Sequence, residues 1–496
     1  MEKNDEFINP KILCFKLGCT CLIIFFLVCC ETPQSLTKKR IRDVENGLLK
    51  SVVFKGEKPE KMKLTERMQY YKVPGVSLAV IDKLQVEWAK GCGVSEITSN
   101  DPVTPDSLFQ AGDLSQPVAA MGVLRLVEKG ELELDRDVNS YLKSWRIPLG
   151  RLTRENKVTL RRLLSHTSGL VALDYDGHDS DEELPSLPQV LRGEAPSHPA
   201  AAFIACEPGS EQRYSEAGYA VLQLIVEEIL GRPFSDFMSA QILGPLELRT
   251  SAFSPHLPSR LEPLAVSGHD REGQPLEGKA LRYPASAASG LWSTPADLAR
   301  FTIDLIRSAV GEQGRVVSTS MAREMLTPQS GNRGFGFIVE DEGVNLHLHL
   351  QGRTAGFSCA LVAYPSRQQG VVVMTNSDNG IYLIEEILRS VSEAYGWPHY
   401  MPEIKTYFRL DPSVYQEYVG QYEVRPDYIL SVTHQDCYLI IQPTGQAPTQ
   451  FFVDSMSTFF STDPYIEIRF NRDKDGRVTG LTLTQRDFTV EAKKIS

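Results

Sequence analysis

Asp113-Leu-Ser-Gln116 places a carboxylate and an amide three residues apart at the start of an apolar run, 117–129. Read as a helix start, Asp-x-x-Gln fits a capping box. Asp113 would accept from the backbone of the first turn and Gln116 would reach back, worth about 1 kcal/mol. Two further stretches carry reactive groups. In HLHL, His347 and His349 share one strand face as two metal ligands can, but no third ligand follows at a recognisable spacing, and no metal is expected. Ser165, His166 and Ser168 lie together in LLSHTSG. No Gly-x-Ser-x-Gly elbow occurs, so a nucleophile on a strand-to-helix turn gains no support. Cys92, Cys206, Cys359 and Cys437 are scattered, which is neither a metal-ligand spacing nor a disulfide framework.

The elements that would position these groups can be read from periodicity. VPGVSLAVIDKLQVEWAKGCGV, from residue 73, gives two strand-like runs separated by Asp82 and Lys83, a hairpin. Val118, Met121, Val123, Leu124, Leu126 and Val127 mark a largely buried helix, and Pro117 costs nothing in its first turn. Further helices are expected over 160–165, 217–230, 234–242, 295–308 and 384–395. Strands are expected over 334–339, 345–350, 357–363 and 370–375, with a loop over 167–199. Strands at both ends with helices between imply a sheet assembled from distant parts of the chain and a mainly helical insertion. From 415 onward, short strand patterns alternate with turns such as DKDG, the mark of a small all-β domain.

Seven segments, in order over residues 66–398, resemble the serine hydrolases of the class C β-lactamase and low-molecular-weight penicillin-binding protein family. They are VPGVSLAVI, LVEKGELELDRDVNSYL, LRRLLSHTSGL, EPGSEQRYSEAGYAVLQLIVEEILGRPF, ILGPLELRTSAF, GLWSTPADLARF and GVVVMTN. The resemblance implies an α/β (α+β) β-lactamase/transpeptidase-like fold, an antiparallel sheet flanked by helices with a helical insertion, and a small C-terminal barrel-like domain. It also implies a Ser-x-x-Lys motif opening a buried helix, where residues i and i+3 share a face so that Lys takes the Ser proton. A Tyr-x-Asn motif and a Lys or His-x-Gly strand motif complete such a site.

On this chain the Ser and Lys positions fall on Asp113 and Gln116, and the strand position on Leu350. Tyr214 keeps the tyrosine, with Glu216 at the Asn position. His349 is one residue from the strand position, and a one-residue slip turns a strand side chain to the opposite face. Ser115 cannot stand in, being about 200° around the helix from position 113. The degenerate set implies a pseudo-hydrolase binding a cell-wall fragment, peptide or protein partner, with Asp113, Tyr214, Glu216 and Arg353 as candidate ligand contacts and no cofactor. The alternatives are a hydrolase using Asp113, Glu216 and Tyr214 by a non-standard route, as carboxylate pairs do in glycosidases, and a structural cell-envelope protein.

A net charge of −11 argues against a nucleic-acid partner. Residues 17–28, LGCTCLIIFFLV, are too few to cross a bilayer, which takes about 20, but suit the apolar core of a secretory signal. The following Cys29-Cys30 resembles a lipobox, which implies export, cleavage before Cys30, lipid attachment there and a membrane contact. An uncleaved anchor or a cut elsewhere is the alternative. The expected domains are 1–30 signal peptide, 31–65 polar linker, 66–398 β-lactamase-related domain, 399–412 linker and 413–496 barrel-like domain. The basic run Lys38, Lys39, Arg40, Arg42 is expected to be solvated linker.

Overall fold

The computed structural model describes residues 33–171, 177–196, 200–485 and 488–496. The signal and lipobox reading, Cys30 included, lies outside them.

The organising element is a six-stranded sheet in the order Gln85–Gly93, Gly75–Asp82, Gln369–Thr375, Phe357–Tyr364, His347–Thr354, Ile338–Glu340. All neighbours pair antiparallel. Its central strands are buried on both faces, which is why Gly75–Asp82 and Phe357–Tyr364 read as nearly continuous apolar runs. One face packs against the helices Pro33–Glu45 and Gly380–Tyr395, with Val44, Val80, Ile384 and Leu388 in its core. The other face meets the helical part, where Ser115–Glu128, Glu216–Leu230 and Pro295–Val310 bury Val118, Leu222 and Phe301. The first hairpin turns at Lys83 and Leu84, one residue later than expected, with φ of 52° and 53°. Two successive left-handed residues are the type I′ geometry that matches strand twist.

Two expected linkers are folded. In 31–65, Ile41, Val44 and Leu48 recur every three to four residues, enough to seat one side of Pro33–Glu45 and the chain beyond it on the core. Arg40 is no solvated linker residue: its guanidinium bonds Asp82 and Glu87 at 3.1 and 3.0 Å and lies over the Tyr395 ring. In 399–412, Glu403–Lys405 pairs parallel with Val52–Phe54. The two segments complete each other, and neither was visible as a strand alone because each is only three residues long.

The C-terminal domain is a closed eight-stranded barrel running from Gly420–Arg425 to Phe488–Lys494, its strands paired in chain order. Phe54 packs against Phe452 of this barrel with ring centroids 4.8 Å apart. A buried ionic cluster ties the parts together. The Arg67 guanidinium donates to Glu386 at 2.6 Å and to Asp463 of the barrel at 2.9 Å, and the Tyr71 hydroxyl donates to Glu386 at 2.9 Å. With Arg67 and Glu386 side chains only 9 % and 3 % exposed, removing the cation strands two carboxylates. Arg67→Ala is therefore expected to lower the unfolding free energy by about 3–5 kcal/mol. The urea midpoint reads this directly; an unchanged midpoint would show that the cluster contributes nothing net.

Candidate functional site

The site is built where a tight turn meets a strand. Phe109–Gln110 pairs with Leu291–Ser293, and the 3₁₀ turn Gly112–Leu114 then leads into Ser115–Glu128. Gly112 has φ 48°, and a Cβ there would stand 2.6 Å from the Arg353 amide nitrogen. A Cβ on Gly352 would stand 2.7 Å from the Asp113 amide nitrogen. The turn and the strand His347–Thr354 thus touch backbone to backbone, which only glycine permits.

Asp113 is not a cap. The residue before the helix is Leu114, with helical φ and ψ and no side-chain cap, because the 3₁₀ turn carries Asp113 out of capping position. Its carboxylate turns into the cleft instead. Oδ1 accepts from Gln116 Nε2 at 3.0 Å and from the Tyr214 hydroxyl, and Oδ2 accepts from the Arg353 amide at 3.3 Å. Gln116 Nε2 also donates to the Tyr214 oxygen at 3.0 Å, while Gln116 Oε1 meets His166 Nε2 at 3.0 Å. The Ser215 amide donates to His166 Nδ1 at 3.2 Å, which fixes the neutral tautomer with its proton on Nε2. The chain of donors runs from His166 through Gln116 to Asp113, with Tyr214 closing the ring.

Burial raises the Asp113 carboxyl above its usual range, opposed by the Tyr214 hydroxyl and by the amides of Arg353 and of Asp113 itself. Burial, then the charges of Asp113 and Glu216, drives the Tyr214 phenol well above its usual value. Burial and the charge of Arg333 hold His166 down to about 3. At ordinary pH Tyr214 therefore keeps its proton and His166 is neutral, with its Nδ1 lone pair already accepting from the Ser215 amide.

The expected positions are brought together unequally. Glu216 opens its helix and accepts from Ser289 at 3.2 Å. Leu350 is 5 % exposed and faces the helical core, whereas His349 lies on the opposite face beside Glu340. Arg353 contributes its amide, and its side chain is exposed. Ser115 is fully buried and accepts from the Leu291 amide at 3.0 Å; Ser165 donates to the Arg161 carbonyl at 2.8 Å. Neither is an available nucleophile. His166 and Arg333 carry no spacing signal relative to Asp113; the left-handed φ of 56° that aims His166 inward is set by the HTSG turn.

Beside the turn lies a cavity of about 580 Å³ lined by Gln110, Lys279, Arg282, Tyr283 and Trp292 among others, but not by Asp113 or Tyr214. Thr354 donates to Gln110 at 2.8 Å and so joins the cavity wall to the site strand.

The neutral His166 makes a pH prediction. Its unfolded counterpart takes up a proton near 6.5, whereas the folded group resists until about 3. The unfolded state binds more protons between those values, so this group's stabilisation is present above 6.5 and lost as pH falls through the window. The melting temperature of wild type is expected to fall more steeply across that range than that of His166→Asn. Parallel curves would remove the assignment.

With this geometry in hand, the relatives are informative. The family model described as Beta-lactamase matches residues 62–387. Penicillin-binding protein 4* of Bacillus subtilis (strain 168) is 24% identical over 404 residues, 77% of this chain and 87% of that protein. Penicillin-binding protein 4 of Amycolatopsis lactamdurans is 30% identical over 337 residues, 64% of this chain and 85% of that protein. Esterase EstB of Burkholderia gladioli is 27% identical over 295 residues, 51% and 70% of the two chains. The octameric penicillin-binding protein homologue from Pyrococcus abyssi superimposes with a TM-score of 0.59 at 21% identity, covering 86% of this chain and 98% of its own. The six-stranded sheet, the helical part and the cleft between them are those of the beta-lactamase family, to which this chain belongs.

Proposed function

We propose that this chain is a non-catalytic member of its family, exported and lipid-anchored at Cys30, that binds a peptide or cell-wall fragment in the cleft beside the Asp113 turn. The carrying observation is the place of the Asp113 carboxylate. It accepts from the Arg353 backbone amide, from Tyr214 and from Gln116. Donors aimed at one point in this way stabilise the oxyanion of an acyl-transfer reaction. Here a carboxylate side chain takes those hydrogen bonds instead.

The adjoining cavity supports binding rather than a cleft filled by side chains. Lys279 and Arg282 outnumber Glu262 in its wall, with Trp292 and Tyr283 as apolar surfaces. That combination suits a peptide with a free carboxylate. Among the described residues no helix is long and apolar enough to cross a membrane, so membrane attachment in this reading rests on the lipid at Cys30.

Purified protein is expected to leave a chromogenic cephalosporin and a p-nitrophenyl ester intact and to remain unlabelled by a fluorescent penicillin. Turnover lost on Asp113→Ala would instead establish a hydrolase that uses this carboxylate. A second measurement tests the framework. The triple variant Asp113→Ser, Gln116→Lys, Leu350→His is expected to regain penicillin labelling, on the order of 10²-fold above the wild-type background. A folded triple variant that stays unlabelled would mean that the cleft has moved away from acyl-transfer geometry.

A further inference from the structure

On the sheet face opposite the cleft, strand alternation gathers a second set of side chains that the acyl-transfer framework does not use. His347 and His349 project from His347–Thr354 on this face, and Glu340 lies directly across from His347 on the edge strand Ile338–Glu340. His349 Nε2 stands 3.3 Å and His347 Nε2 3.7 Å from the same oxygen, Glu340 Oε2. The longer contact is beyond hydrogen-bond reach, and His349 Nε2 is buried without a hydrogen-bond partner. His347 is 3 % exposed, and its Nδ1 is also buried without one. Two imidazoles and a carboxylate oxygen, all within 4.8 Å of one another, converge without satisfying each other.

Such separations suit a shared cation better than mutual hydrogen bonds. Ligand atoms about 2.0–2.1 Å from a tetrahedral Zn²⁺ stand about 3.3–3.4 Å from each other. The 3.3 and 3.7 Å contacts lie close to that edge length. His399 forms the wall. Its ring stacks on His347 with centroids 4.1 Å apart, while its nitrogens are engaged by Asp341 at 2.5 Å and Tyr364 at 3.0 Å. That leaves His347, His349 and Glu340 Oε2, the other Glu340 oxygen accepting from Asn332 at 3.0 Å. The rings of His347 and His349 lie only 18° from parallel, so ligation needs a rotation about χ2, a soft torsion for histidine.

We propose that Glu340, His347 and His349 bind one divalent transition-metal ion of the Zn²⁺ class, which clips the edge strand to its neighbour and keeps a fourth position open. Two nitrogens and one oxygen suit Zn²⁺ rather than Ca²⁺ or Mg²⁺, which take oxygen ligands. The site shares no residue with the Asp113 network, so it stands or falls independently of the proposed function.

The test uses the full chain and Zn²⁺ alone. After incubation and gel filtration, wild type is expected to retain one equivalent of Zn²⁺ more than His349→Ala or Glu340→Gln by elemental analysis. Zn²⁺ should also raise its melting temperature and leave both variants unmoved. Glu340 is 45 % exposed, so Glu340→Gln should leave the fold intact, and equal metal-free melting temperatures confirm it. The cysteines of the leader are common to all three proteins and cancel in the difference. Equal zinc content in wild type and both variants overturns the site. Loss of zinc on His399→Ala with retention in Glu340→Gln overturns the ligand set.

Discussion

A carboxylate partly withdrawn from water has to be met by donors, and Asp113 is met by three. Tyr214, Gln116 and the Arg353 amide all point at it. Left unmet, a buried charge would cost several kcal/mol. This requirement organises the site. Gln116 must orient its amide so that Nε2 faces Asp113, which turns Oε1 toward His166. His166 must then carry its proton on Nε2, and the Ser215 amide enforces that tautomer from the other side of the ring. The helix that begins at Glu216 is thereby coupled to the helix that begins at Ser115 through one polar chain.

The same network shows why glutamine suits position 116. Gln116 is a neutral donor and acceptor, suited to bridging a carboxylate and an imidazole. A lysine at that position with Asp113 kept would form an ion pair rather than a base. Each member fits the others, and the fit is one of mutual satisfaction rather than of reactivity.

Much of this was legible in the sequence. The long helices and the central strands emerged from periodicity because long, regular segments carry it. The strand expected over 334–339 is only Ile338–Glu340, and the short helices Leu187–Arg192, inside the expected loop, and Thr319–Leu326 escaped. The opposite facing of Leu350 and His349 followed from the two-residue repeat of a strand and holds in three dimensions. What escaped was set by structure without a local pattern. Asp113 failed to cap because a 3₁₀ turn, not a helix, spans Gly112–Leu114, and that turn follows from contact with Gly352, 240 residues away. Glu340 was invisible as a partner of His347 because register across strands, rather than spacing along the chain, brings them together. The segments 31–65 and 399–412 read as polar because each supplies only half of a paired unit.

The folding of the N-terminal segment has a consequence for how the molecule would sit on a membrane. A disordered tether of some thirty residues would let an anchored domain roam far from its lipid. Helix Pro33–Glu45 begins three positions after Cys30, so a lipid on that cysteine would have a reach of only about 10 Å to the folded body. Lys38 and Lys39 are exposed on this helix, as is Arg42, which pairs with Asp43 at 3.8 Å. Near an anionic leaflet each such cation contributes about 1 kcal/mol of attraction. A protein held this way would lie against the headgroups with one helix facing the bilayer, its orientation fixed by the fold rather than left to a linker.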